Sequence, residues 1–217
     1  VQTAEVNRKV PALVYPFGFE PTFYPDRLSE PSKLKKPSTI FVGSMCDMWG
    51  DWVPDEWIVP IMEQTLPKRH RWLFLTKNPS RYYAMQDRSM YGMHYGDYKN
   101  CWFGASITTS NEASTHSDTM FTLDLPHKFF SAEPLLEDIA PHVDFEGVQW
   151  LIIGALTKNG RVVSPERGGT RAEWIKSLAE KANKAKIPVF FKDSAYKLFP
   201  EIPYDVWIRD LPYLEGR

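Results

Sequence analysis

One carboxylate and two lysines stand out in this sequence for what they could do together. The segment Phe129-Phe-Ser-Ala-Glu-Pro-Leu-Leu136 places Glu133 at the end of a buried run, braced by Pro134. A carboxylate there needs a cation, hydrogen-bond donors or a ligand to offset its lost hydration. Lys77 and Lys192, each closing another apolar run, are its natural partners. The group reads equally as a structural Glu–Lys pair across a barrel mouth or as part of a ligand site. Other apolar runs also end in polar residues: Ser44 and Asp47, Thr76 beside Lys77, Ser106 and Thr108, Ser131, Thr157, and Asp193 beside Lys192. In parallel β/α folds ligands bind at the C-terminal ends of the strands, so these positions form a candidate rim.

Other chemistries have weaker support. Cys46 and Cys101 are the only cysteines, too few for a disulfide framework and without metal-finger spacing. Cys46 follows an apolar run beside Asp47, yet a lone cysteine ordinarily serves as a small buried hydrophobe. His70, His94, His116, His127 and His142 show no HExxH or other paired spacing, which argues against a built-in zinc site. No GxSxG elbow, P-loop or GxGxxG occurs. Trp49 and Trp52 could stack a nucleobase at the rim or, as the more ordinary role, cover a barrel edge.

The elements that must position these residues alternate after about residue 38. Strands are predicted over Thr39–Gly43, Trp72–Thr76, Trp102–Ile107, Lys128–Ala132, Gln149–Gly154 and Pro188–Lys192, with Glu20–Tyr24 a weaker candidate. Runs such as IFVG, WLFL, WLII and PVFF are nearly continuous in apolar residues, the pattern of parallel strands covered on both faces. Between them, Thr170 and Glu173 make a capping-box pattern. Trp174, Ile175, Leu178, Ala179 and Ala182 then form an apolar stripe at helical spacing. Trp57, Ile58, Ile61 and Met62 make a second stripe that Pro60 should kink or shorten. Pro54 and Pro79 suit first helical turns, and Ser110 could cap a helix running toward Leu123.

A βα unit takes about 30 residues, so the 217 residues hold roughly seven. The expected fold is α/β: a single TIM-like parallel β/α barrel over residues 1–217, incomplete at the N-terminal end, with a loop-rich lead-in over 1–37. Hydrophobic content of 43% and a net charge of -1 fit a globular domain and lack the basic excess of a non-specific nucleic-acid binder. No apolar run approaches the roughly 18 residues of a membrane span, and Val1 to Pro11 carries no signal-peptide pattern. A cytoplasmic protein without membrane contact is expected. The absence of an initiator Met suggests a gene product that extends upstream of Val1.

Several phrases carry a resemblance. They are FEPTFYPDRL (Phe19–Leu28), KKPSTIFVGSMCDMWGDWVPDEW (Lys35–Trp57), WLFLTKNPSRY (Trp72–Tyr82) and WFGASITTSNEA (Trp102–Ala113). FFSAEPLLEDI (Phe129–Ile139), WLIIGALT (Trp150–Thr157) and GGTRAEWI…IPVFFKDS (Gly168–Ser194) complete them. In this order they resemble the phage gp-thirty-seven/gp-sixty-eight protein family, which is related to radical S-adenosylmethionine (SAM) enzymes. The resemblance implies a TIM-like barrel with a [4Fe–4S] cluster at its mouth, three of its irons held by a GC…GC-x-x-CYA segment. SAM would bind the fourth iron and be cleaved to a 5′-deoxyadenosyl radical. It also implies a reductant protein and a further substrate, for which phage association points to a nucleotide or nucleic acid.

Under this resemblance Ser44 and Asp47 would lie near the methionine end of SAM, with Thr76 beside them among the cofactor-binding residues. Ser106, Glu133 and the strand end at Gly154 would line its ribose and adenine. Lys77, Lys192 and Asp193 would face the substrate or donate a proton. The cysteine segment belongs upstream of FEPTFYPDRL and is absent, so the chain as it stands should be inert. Two other readings stay open: a cluster-less barrel that binds a nucleotide or a partner, and an open doubly-wound sheet using Asp47 and Glu133 to hold Mg²⁺.

Overall fold

Apolar runs long enough to be covered on both faces become the strands of one parallel sheet. The computed structural model describes residues 17–18, 20–85 and 97–200. The upstream part of the lead-in, Phe19 and His94 lie outside the described residues. In chain order come β1 (Thr39–Phe41), α1 (Asp55–Glu63), β2 (Arg71–Thr76), β3 (Cys101–Ser106), α2 (Ser110–Thr122), β4 (Lys128–Ala132) and β5 (Trp150–Ile153). A small hairpin of β6 (Thr157–Lys158) and β7 (Arg161–Val162) follows, then α3 (Ala172–Lys184), β8 (Val189–Phe191) and α4 (Asp193–Leu198).

The main sheet has the order β1-β2-β3-β4-β5-β8, and every neighbouring pair is parallel. Spatial order follows chain order without reversal, and the sheet curls into a half-barrel of mixed α/β architecture. Because the order never reverses among the described strands, they contain no topological switch point, and the doubly-wound Mg²⁺ alternative loses its site there. No helix among the described residues is long and apolar enough to cross a membrane.

Alternate residues of each strand divide between two apolar layers. Phe74, Phe103, Phe130, Leu151 and Val189 face the outer core, which Ile175, Leu178 and Ala182 of α3 help to close. Burying each such apolar side chain stabilises the fold by about 1.5–3 kcal/mol. Leu73, Trp102, Phe129 and Trp150 form a second cluster on the concave face. Phe129 stands 5.3 Å from Trp150, and Trp102 meets Trp150 edge-on at 5.9 Å. Gly104 makes this layer possible, since a Cβ there would lie 2.2 Å from Phe129 Cζ.

The β4–β5 crossover contains no α-helix. Leu135, Ile139, Val143, Phe145 and Val148 are buried along it and cover the sheet in a helix's place. Its carbonyls find a donor in Lys181 of α3, whose ammonium bonds the oxygens of Ala140 at 2.7 Å and Val143 at 2.5 Å.

Several local expectations need correction. Glu20–Tyr24 forms no strand. Thr170 does not cap α3, whose N-cap is Arg171; its hydroxyl donates instead to the Leu135 carbonyl and accepts from Leu156 N–H. The capping box belongs to α2, where Thr109 precedes Ser110 and pairs with Glu112. Pro60 sits inside α1 without ending it, although the helix has only 9 residues. The hairpin carrying Thr157 had a signal in Asn159-Gly160, both at positive φ (52° and 73°), as a tight two-residue turn requires.

Candidate functional site

The concave face and the loops after its strands enclose a cavity of about 790 Å³. In-register rows of side chains build it. Leu75, Gly104, Phe129 and Trp150 are paired neighbours across four strands, and Ser106, Ser131, Ile152 and Phe190 form the row above. The lower row is apolar. The upper row opens with two serines where a closed barrel would place bulky aliphatics, and these leave both volume and hydroxyls at the mouth.

Above them Glu133 reaches across to Lys192 and forms an ion pair, with each side chain partly exposed. This is the partner expected from the sequence. Lys77, the other expected partner, does not join it: its ammonium makes no hydrogen bond or ion pair among the described residues. Its main-chain N–H donates to Asp47 Oδ2 at 2.8 Å. The same oxygen accepts from Thr76 Oγ1 at 3.0 Å, and Asp47 Oδ1 accepts from Trp49 N–H at 3.0 Å. Asp47 therefore ties the loop after β1 to the end of β2, and Thr76 is its tether rather than an open ligand group.

Ser44, Asp47, Thr76, Lys77, Ser106, Glu133 and Lys192 all line the cavity. Four expected rim members do not: Thr108 is bonded to Glu112, Thr157 lies in the hairpin strand β6, and Gly154 and Asp193 also stay out of the lining. Gly154 is a spacer, for a Cβ there would lie 2.8 Å from Glu133 Cγ. Asp193 lies exposed in the first turn of α4, away from the lining. Trp49 is fully buried against Phe74 and Tyr82 and cannot stack a ligand, whereas Trp52 is exposed beside a neighbouring groove. The apolar floor of Leu73, Trp150, Ile152 and Phe190 escaped the sequence reading. Only strand alternation within the apolar runs signalled it, and both faces of these strands are apolar.

The thiols do not fit a [4Fe–4S] cluster. Cys46 is exposed on the rim, and desolvation of its sulfur together with the Asp47 charge pushes its pKa up, away from the thiolate a metal needs. Cys101 is buried at the start of β3, roughly 16 Å along the strand from the mouth, and desolvation pushes its pKa to about 12. Among the described residues no group of three His, Cys, Asp or Glu could hold a metal ion. A SAM-sized molecule is a different matter. The cavity offers an apolar floor for a base, two hydroxyls, and the Glu133–Lys192 pair for a zwitterion's charges.

Comparison with curated proteins finds no match. Residues 3–198 match the family described as "Protein of unknown function (DUF5131)". That match spans most of the half-barrel and every cavity-lining residue, and so the chain belongs to the DUF5131 family.

Proposed function

We propose that the mouth of the half-barrel binds a nucleoside-bearing, charged small molecule, and that this ligand is SAM, as the resemblance to the phage gp-thirty-seven/gp-sixty-eight family implies. The observation that carries the reading is the cavity itself. Polar groups from several parallel strands converge above an aromatic floor at the strands' C-terminal ends, where this architecture places ligands. On this reading the half-barrel is the larger part of a TIM-like barrel, related to radical SAM enzymes.

The cluster chemistry of such enzymes has no donor set in these residues, and no step is derived through it. A second reading, a barrel that binds a nucleotide or partner without a cluster, is favoured by the single rim cysteine. Both readings share the site and differ in iron. Calorimetric titration with SAM should show saturable binding, weakened about tenfold by Glu133→Gln, with the melting temperature nearly unchanged because a half-exposed pair contributes little stability. Binding indifferent to that substitution would remove Glu133 from the site. Iron and sulfide analysis of the complete gene product after anaerobic reconstitution separates the two readings: about four of each supports the radical enzyme, none the binding module.

A further inference from the structure

We propose that the ligand of this cavity carries an anionic group, a carboxylate or a phosphate, and that Lys77 receives it. The inference rests on the cavity being a ligand site and deepens that reading. Four charged side chains line the cavity, and three of them already have partners. Glu133 and Lys192 neutralise each other. Asp47 accepts from Trp49, Thr76 and the main chain of Lys77. The ammonium of Lys77 is the one charged group of the lining without a hydrogen bond or ion pair among the described residues.

Glu112 feels the Lys77 charge but forms no ion pair with it, and its Oε2 accepts from Thr108 and Thr109. The uncharged lining points the same way. The hydroxyls of Ser106 and Ser131 face each other in register and make no hydrogen bond among the described residues. What the site leaves open is therefore one positive charge and two hydroxyls that can donate. An acceptor-rich anionic group on an apolar body, the body lying on Trp150, Ile152 and Phe190, complements that pattern. Asp47 also holds the Lys77 backbone, so the lysine is presented from a fixed point while its side chain stays available.

The test compares adenosine, AMP and SAM as titrants, for the unaltered chain and for Lys77→Met and Lys77→Arg, at low and at physiological salt. AMP or SAM should bind at least about tenfold more tightly than adenosine, the scale of one charge-assisted hydrogen bond. Lys77→Met should abolish that preference and its salt dependence, Lys77→Arg should keep it, and adenosine binding should not change. A preference for AMP that Lys77→Met abolishes identifies a phosphate as the anionic group, and a preference for SAM alone that Lys77→Met abolishes identifies a carboxylate. Equal binding of adenosine, AMP and SAM, or a preference that survives Lys77→Met, overturns the inference and leaves the nucleoside site standing. Binding of none of the three overturns the site and the inference together. Thermal melting of both variants confirms that they fold, as expected for an exposed side chain.

Discussion

Gly154 gives Glu133 its place: a Cβ at position 154 would lie 2.8 Å from Glu133 Cγ and 3.2 Å from Cδ. The bare backbone at the end of β5 lets the carboxylate lie over the sheet and meet Lys192, which is 59 positions away in the chain. A glycine, a carboxylate and a lysine from three neighbouring strands thus form one unit at the mouth.

Gly154→Ala should force Glu133 to rotate away from Lys192. The expected cost is about 1–3 kcal/mol of stability, the usual range for adding a methyl group to a filled space. The clearer readout is ligand affinity. Gly154→Ala and Glu133→Gln should weaken SAM binding to similar extents, and the double variant should be no weaker than either alone. Additive losses in a double-mutant cycle would show that the two residues act separately.

Asp47 distinguishes a structural tether from a ligand group. Asp47→Ala removes the acceptor for the Thr76 hydroxyl, which is buried, and for two main-chain N–H groups. Urea unfolding should report a loss of about 2–3 kcal/mol, and Asp47→Asn, which keeps one carbonyl oxygen, should lose less. An Asp47→Ala protein of unaltered stability that fails to bind SAM would return Asp47 to the ligand.

Glu112 should make part of the fold's stability depend on acid. Burial raises its pKa, but hydrogen bonds from the Thr108 side chain and backbone, with the nearby Lys77 and His116 charges, bring it below the ordinary value of 4.5. A depressed folded-state pKa means that the charged form is favoured by folding. Its contribution is full above the unfolded value and is lost as pH falls through the folded one. Stability measured downward from pH 4.5 should decline less steeply in Glu112→Gln, which should also be about 1 kcal/mol less stable at neutral pH through loss of the charged cap on α2. Parallel pH profiles for the two proteins would exclude Glu112 from acid unfolding.

The sequence by itself determined where the six strands of the main sheet run and which residues follow them. Runs such as Phe129–Ala132 and Trp150–Ile153 are apolar at successive positions because helices or loops cover one face and the concave layer the other, and that pattern survives without coordinates. Glu133 and Lys192 could likewise be paired by type, since a carboxylate leaving a buried run needs a cation. Tertiary structure decided the rest. Which of two lysines meets Glu133, and whether Asp47 is free or already bonded, depend on contacts 29 to 59 positions apart, for which local spacing carries no signal. Thr170 shows the same competition: a sound local capping pattern yields to the Leu135 carbonyl 35 positions away, because a buried carbonyl must find a donor somewhere. The cavity, too, belongs to the curl of the sheet. Only when parallel strands bend round one side do Ser106, Ser131, Ile152 and Phe190 become one row of one concave wall.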